Sequence, residues 1–316
     1  MIFESHLTQT DPALFFQSPD PLDNRLGSLV SNNLDFYDSC RFAIVSCSQD
    51  IGVQRNNGRA GAAAAPQSIR TALYRLTSPF GLKTGDLLDM GDTAKGDDLE
   101  EIHGRHEEVI KKLLADGKTV IVLGGGNDLS YPDVRALQSV VSNPVAVNVD
   151  AHLDIRKNRR RNSGTPYRQL IEEAVISPDR FFEVGFQPHA NANQYLSDAS
   201  EMGIHLIPFF QLQEGLFAGT MEREFKPFQE DPFFLGFDMD SVKAADAPGV
   251  SAPSPTGLTA ERALDIIGYL TDHHHLKLFE ITEVNPQFDL DQRTARLAAI
   301  LIYRFLEGMM GKMMTG

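Results

Sequence analysis

The chain has 316 residues, 42% hydrophobic and 23% charged. That is enough apolar material for a core of ordinary size, and Gly 25 and Pro 17 exclude collagen-like or wholly disordered readings. Lys and Arg number 29 against 43 Asp and Glu, a net charge of −14, which argues against nucleic acid and anionic membrane as partners because both are polyanions. Residues 1–40 are polar and turn-rich, with Asp11-Pro12, Ser18-Pro19 and Asp20-Pro21, and read as an irregular arm around a short helix. The stretch Met1–His6 lacks a basic segment followed by an apolar run, so no secretory signal is expected. The two cysteines, Cys40 and Cys47, read as ordinary buried thiols. So thiol-poor a chain fits a reducing, cytoplasmic compartment.

From residue 42 onward, short apolar runs ending in Gly, Asp or Asn alternate with longer segments of helical spacing. Strands are expected at 42–46, 87–90, 119–123, 145–149, 181–184, 205–207, 233–237 and 277–281. Helices are expected at 66–76, 98–116, 131–141, 165–174, 192–202, 259–271 and 291–308. The late apolar segment 297–306 contains Arg304 and is too short to span a bilayer. Strands alternating with helices predict an α/β fold, a mostly parallel sheet of about eight strands covered on both faces. No linker-like stretch or internal repeat divides the chain, so one domain over 1–316 is expected.

Open parallel sheets bind ligands at the carboxyl ends of their strands, and here those ends are acidic. One strand runs into Asp150-Ala151-His152-Leu153-Asp154 and another into Asp238-Met239-Asp240. A third runs into Gly124-Gly125-Gly126-Asn127-Asp128, and a fourth into Glu283-Val284-Asn285-Pro286. Carboxylates and imidazole at alternate positions can converge on one point, and they are costly to bury without a compensating cation. Mostly carboxylate oxygen, one imidazole and no thiolate suit Mn²⁺ better than a thiolate zinc site. So many anionic ligands exceed what one ion collects, which points to two adjacent ions sharing an activated water.

Three other features carry less. His273-His274-His275 lies between a helix and a strand, at the amino end of that strand, and reads as a polar loop. The basic run Arg156 to Arg161 reads as a solvated loop, with a clamp on an anionic substrate group as the alternative. The triple glycine lacks the spacing and the Lys-Ser/Thr of a phosphate loop.

These pieces, in this order, resemble the ureohydrolase superfamily of arginases, agmatinases and formimidoylglutamases. The matching motifs are G-G-G-N-D at 124–128, N-V-D-A-H-L-D at 148–154, G-F-D-M-D at 236–240, A-P-G-V-S-A-P at 247–253 and E-V-N-P at 283–286. N-G-R-A-G-A-A-A-A-P-Q-S-I-R at 57–70 also matches, and S-G-T-P-Y-R at 163–168 looks most like the formimidoylglutamase members. The resemblance implies an arginase-like three-layer α/β/α fold and a binuclear manganese centre. It also implies hydrolysis of a linear amidine C–N bond, taking N-formimidoyl-L-glutamate and water to L-glutamate and formamide. Carried over by motif, the ions would be held by Asp150, His152, Asp154, Asp238 and Asp240, with Asp150 and Asp238 bridging. Asp154 would also orient the metal-bound hydroxide, and Glu283 would fork onto the substrate amidinium. Arg59, Arg168 and Ser163 are the expected substrate-binding positions.

The sequence departs from the family pattern twice. Asn127 stands where the glycine-rich loop usually supplies a metal-binding histidine, so one site is expected to hold its ion more weakly. Ser163 stands where arginases carry a histidine, which weakens the case for arginase itself. Two alternatives follow, a ureohydrolase acting on a guanidino compound and a metal-poor, non-catalytic relative. The resemblance further implies a homo-oligomer, trimeric or hexameric.

Overall fold

The computed structural model describes residues 2–20 and 22–315; Pro21, part of one expected turn, lies outside them. Nine strands form one sheet. They are β1 (Leu7–Thr8), β2 (Phe42–Ser46), β3 (Leu87–Thr93), β4 (Thr119–Leu123), β5 (Val145–Val149), β6 (Phe181–Phe186), β7 (His205–Pro208), β8 (Pro232–Asp238) and β9 (His275–Thr282). Their spatial order is β1-β3-β2-β4-β9-β8-β5-β6-β7. Every pair is parallel except β1 with β3.

The helices are α1 (Ile2–His6), α2 (Ile51–Arg55), α3 (Ala65–Leu73), α4 (Leu99–Ala115), α5 (Ser130–Gln138), α6 (Pro166–Glu172), α7 (Asn193–Met202), α8 (Phe217–Phe225), α9 (Ala260–His273) and α10 (Arg293–Thr315). Alternate residues of each strand feed opposite faces. Ile44, Ile121, Val147 and Leu235 pack with residues of α3, α9 and α10. Their neighbours Ala43, Val120, Ala146 and Phe234 pack with residues of α4, α5 and α6. Two apolar faces and two helical layers give the expected three-layer α/β/α arrangement. No described helix is long and apolar enough to cross a membrane.

The ninth strand, β1, is a two-residue antiparallel edge inside the arm, too short to show a period of two. Two helices also escaped the pattern: α2 has five residues, and α8 carries Gly219 in its first turn. The histidine tract is not a polar loop. His273 ends α9 and His275 begins β9, while His274 is buried with its ring centroid 4.6 Å from that of Phe233. Burial pushes His274 down to about 4, so it is a neutral core residue at neutral pH.

Candidate metal and substrate site

Strands β4, β9, β8 and β5 are consecutive neighbours in the sheet. Asn127, Glu283, Asp238 and Asp150 follow or close these four strands at their carboxyl ends. One ligand atom each from Asp150, Asp154 and Asp238 lies within 4.8 Å of the others. Above them is a cavity of about 240 Å³ whose walls include His152, Asp154, Asp238, Asp240, Glu283, Ser163 and Arg59. Asp150 and Asn127 lie just beneath, both fully buried. A larger hollow of about 480 Å³, lined by Glu100, Lys157, Arg159 and Arg161, holds none of these residues.

Local backbone explains how the acids converge. Asp154 and Glu283 adopt φ of 47° and 63°, left-handed values that cost roughly 1 kcal/mol or more for a residue with a Cβ. Glu283 directly follows β9, and Asp154 lies five residues beyond the end of β5. The backbone N–H of His152 donates to Asp150 at 2.9 Å, and that of Asp240 donates to Asp238 at 2.7 Å. The N–H of Ala252 is shared by both oxygens of Asp240 at 3.1 Å. Gly125 makes room for the turn: a Cβ there would lie 1.6 Å from the Gln49 carbonyl oxygen.

The cluster is short of positive charge. Burial and the charge of Asp150 lift Asp154 to about 8, and burial lifts Asp240 to about 6. Burial, then Asp150 and Asp240, push Asp238 well up. Burial disfavours the His152 imidazolium, but the hydrogen bond and charge of Asp150 outweigh it and raise the group to about 10. Carboxylates this costly to ionise, with oxygens this close, are the donor set a hard divalent cation requires. Behind Asp150, the Asn148 amide donates to the buried Glu183 at 3.2 Å and reaches Asp150 at 3.4 Å.

Asn127 is turned the other way from a ligand. Its amide oxygen accepts from Thr282 at 2.9 Å and Ser130 at 3.4 Å, and its Nδ2 donates to Asp154 at 2.6 Å. Offering the oxygen to an ion would take a half-turn of the amide. The Asn127 backbone N–H donates to Glu283 at 2.8 Å, and the Ser251 hydroxyl hydrogen-bonds the other Glu283 oxygen. Burial and Asp240 push Glu283 well up as well, so this acid also lacks a counter-cation. Ser163 accepts from the Asn56 amide at 3.0 Å.

Arg168 does not reach the cavity. Its Nε donates to the Ile155 carbonyl at 3.1 Å and its Nη2 to Asp198 at 2.6 Å. These partners use up the fork and tie α6 to α7, so a substrate-binding role is not supported by its position. The residues not singled out from the sequence are Asn56, Asn57 and Ser251, all on the cavity wall; Arg156, first of the basic run whose alternative reading was an anion clamp, joins them there. Ser251 lies inside a motif already singled out, and Arg156 closes the D-A-H-L-D-I-R run. The available signal was their place in or beside those motifs.

Comparison with known proteins gives one consistent picture. A family model described as the arginase family matches residues 40–307. Formimidoylglutamase of Ralstonia nicotianae is 31% identical over 327 residues, spanning 95% of this chain and 97% of that protein. Formimidoylglutamase of Geobacillus thermodenitrificans is 34% identical over 261 residues, 79% of each chain. The crystal structure of Trypanosoma cruzi formiminoglutamase with Mn²⁺ superposes with a TM-score of 0.83 at 32% identity, over 90% of this chain and 98% of that one. Proclavaminate amidino hydrolase from Streptomyces clavuligerus shares the fold, with a TM-score of 0.76 at 23% identity over 94% of this chain and 98% of that one.

Proposed function

The chain belongs to the arginase family, and from that premise we propose that it is a manganese-dependent formimidoylglutamase. It hydrolyses N-formimidoyl-L-glutamate to L-glutamate and formamide. The observation that carries this reading is the trio Asp150, Asp154 and Asp238, whose oxygens converge beneath the cavity. Two manganese ions would be held by Asp150, His152, Asp154, Asp238 and Asp240, with Asn127 completing the set after its amide turns. When bound, manganese supplies Lewis acidity that makes water nucleophilic near neutral pH.

The chain's own groups do the rest. Glu283, fixed by the Asn127 N–H and the Ser251 hydroxyl, forks onto the two N–H donors of the substrate amidinium. That contact gives the buried acid the counter-charge it otherwise lacks, and it aims the amidine carbon at the carboxylate floor. Asp154, on the same wall, orients the attacking water and accepts its proton. The water oxygen first bonds to the amidine carbon while the C=N π pair moves onto nitrogen; the bond to the glutamate nitrogen then breaks as that nitrogen takes up the proton that water gave to Asp154. The oxygen leaves in formamide, and the amine departs protonated. A homo-oligomeric state and a cytoplasmic location are parts of the same proposal.

The test is product release by the purified, manganese-loaded protein from N-formimidoyl-L-glutamate, arginine, agmatine and guanidinobutyrate. Glutamate formation that chelation abolishes and Mn²⁺ restores is the expected result. Turnover of a guanidino compound with none of formimidoyl-glutamate would refute the substrate assignment and leave family membership standing.

A further inference from the structure

The cavity is electrically two-sided. Its floor is carboxylate, while its walls bring in two guanidinium groups, Arg59 and Arg156. Arg59 is already engaged. Its Nε donates to the Ser251 carbonyl at 3.1 Å, its Nη2 donates to the Val250 carbonyl, and its plane lies 4.2 Å from the Phe288 ring centroid. Arg156 differs. It is exposed, and its guanidinium makes no hydrogen bond or ion pair with any other described residue.

The rest of Arg156 is held. Its backbone N–H donates to the Gly164 carbonyl at 2.8 Å. Its stem crosses Gly164 so closely that a Cβ there would fall 2.8 Å from Arg156 Cδ and 3.0 Å from Nε. None of the other cations of the basic run, Lys157, Arg159, Arg160 and Arg161, lines this cavity. Lys157 pairs with Asp198 at 3.1 Å. Arg161 stacks 3.7 Å from the Tyr131 ring centroid and donates to His103 at 3.0 Å. Arg159 lines the separate hollow.

A fixed root and an unpaired planar fork at a cavity wall form a receptor for a carboxylate. The chain carries a net charge of −14, so a substrate with two carboxylates gains from a local cation beside them. We propose that Arg156 is the specificity-determining residue that receives a carboxylate of the substrate and rejects amidino compounds with cationic tails. This rests on the amidine-hydrolase reading above. A cationic tail would meet like charge at the place where a carboxylate meets its partner.

The experiment is steady-state kinetics of the manganese-loaded wild type, Arg156→Gln, Arg156→Lys and Arg159→Gln, with metal content measured on each. The substrates are N-formimidoyl-L-glutamate and an N-formimidoyl alkylamine that carries no carboxylate. In Arg156→Gln, KM for formimidoyl-glutamate is expected to rise about 10-fold or more with kcat little changed. Arg156→Lys recovers part of the loss, Arg159→Gln matches wild type, and the carboxylate-free substrate does not distinguish wild type from Arg156→Gln. An unchanged KM in Arg156→Gln, a loss confined to kcat, or an equal loss on both substrates would overturn the assignment. Wild type that turns over other amidines but not formimidoyl-glutamate would remove the functional reading itself. Wild type active on formimidoyl-glutamate with Arg156→Gln unaffected removes only this inference.

Discussion

Stripping the metal should make the protein less stable, and the loss should grow with pH. Asp240 rises from 3.8 to about 6 because it is buried. A carboxyl raised in the folded state binds more protons folded than unfolded, so its unfavourable contribution is absent below about pH 4. It develops as pH climbs from the unfolded value to the folded one, between about 4 and 6, and is complete near pH 7. Two units correspond to about 3 kcal/mol. Asp154, lifted to about 8 by burial and Asp150, acts in the same direction and extends the window upward. A divalent cation compensates the buried charge and recovers that energy, roughly 6 °C in melting temperature at about 2 °C per kcal/mol for a chain of this size.

Other groups oppose this in the same window. His103 is lowered by burial, and His106 is pushed down to about 3 for the same reason. Both favour the folded state above their unfolded value near 6.5, and that gain is lost as pH falls. Absolute stability therefore mixes two signs, whereas the difference between Mn²⁺-loaded and chelated protein isolates the acidic cluster. The chain has no tryptophan, so far-UV circular dichroism or calorimetry is the suitable melt. The shift given by Mn²⁺ should be clearly larger at pH 8 than at pH 5, the increase coming chiefly from Asp154. Equal shifts at both pH values, or none at pH 8, would refute the reasoning.

Asp154→Asn should retain the fold and lose more than about 10²-fold in kcat, since it removes a charged ligand and the acceptor for the water proton. Glu283→Gln should keep its manganese by elemental analysis yet lose roughly 10²-fold in kcat/KM, because a neutral amide cannot pair with the amidinium. Arg168→Ala should lower the unfolding free energy obtained from chemical denaturation by about 1–3 kcal/mol, leaving Asp198 short of its shortest charged partner. Its KM should not move, and a raised KM with unchanged stability would return Arg168 to the substrate site.

The central strands and the acidic strand ends were legible because each rests on local pattern. Branched apolar runs such as Val145–Val149 must be strands buried on both faces, and Asp150 or Asp238 just beyond them cannot be buried without a charge partner. What escaped depends on distant residues. Arg168 and Arg156 both adjoin telling motifs, and only packing separates them. Asp198 on α7 claims the first by a direct ion pair, while the second makes no hydrogen bond or ion pair through its guanidinium with any described residue and acts on Asp154 only through its charge. The orientation of Asn127 is set by Thr282, 155 positions away, so the identity of residue 127 could not show which face of its amide looks toward the acids.

The site is a place where the fold holds unfavourable terms together rather than minimising them. Asp154 and Glu283 sit at left-handed φ, and both are acids pushed upward by burial. Neither arrangement stabilises the empty chain, yet each is fixed by groups that would otherwise have no reason to converge. Asn127 illustrates this best: its backbone serves Glu283 and its side chain serves Asp154. It thereby links the residue assigned to the amidinium with the residue assigned to the water. A change in the Asn127 amide on cation binding would be felt at both acids at once, because the same short turn after β4 carries both contacts. Under the proposed mechanism, substrate orientation and water activation would share this one residue of the glycine-rich turn. The family's usual histidine at that position would supply a metal ligand but no amide donor for Asp154.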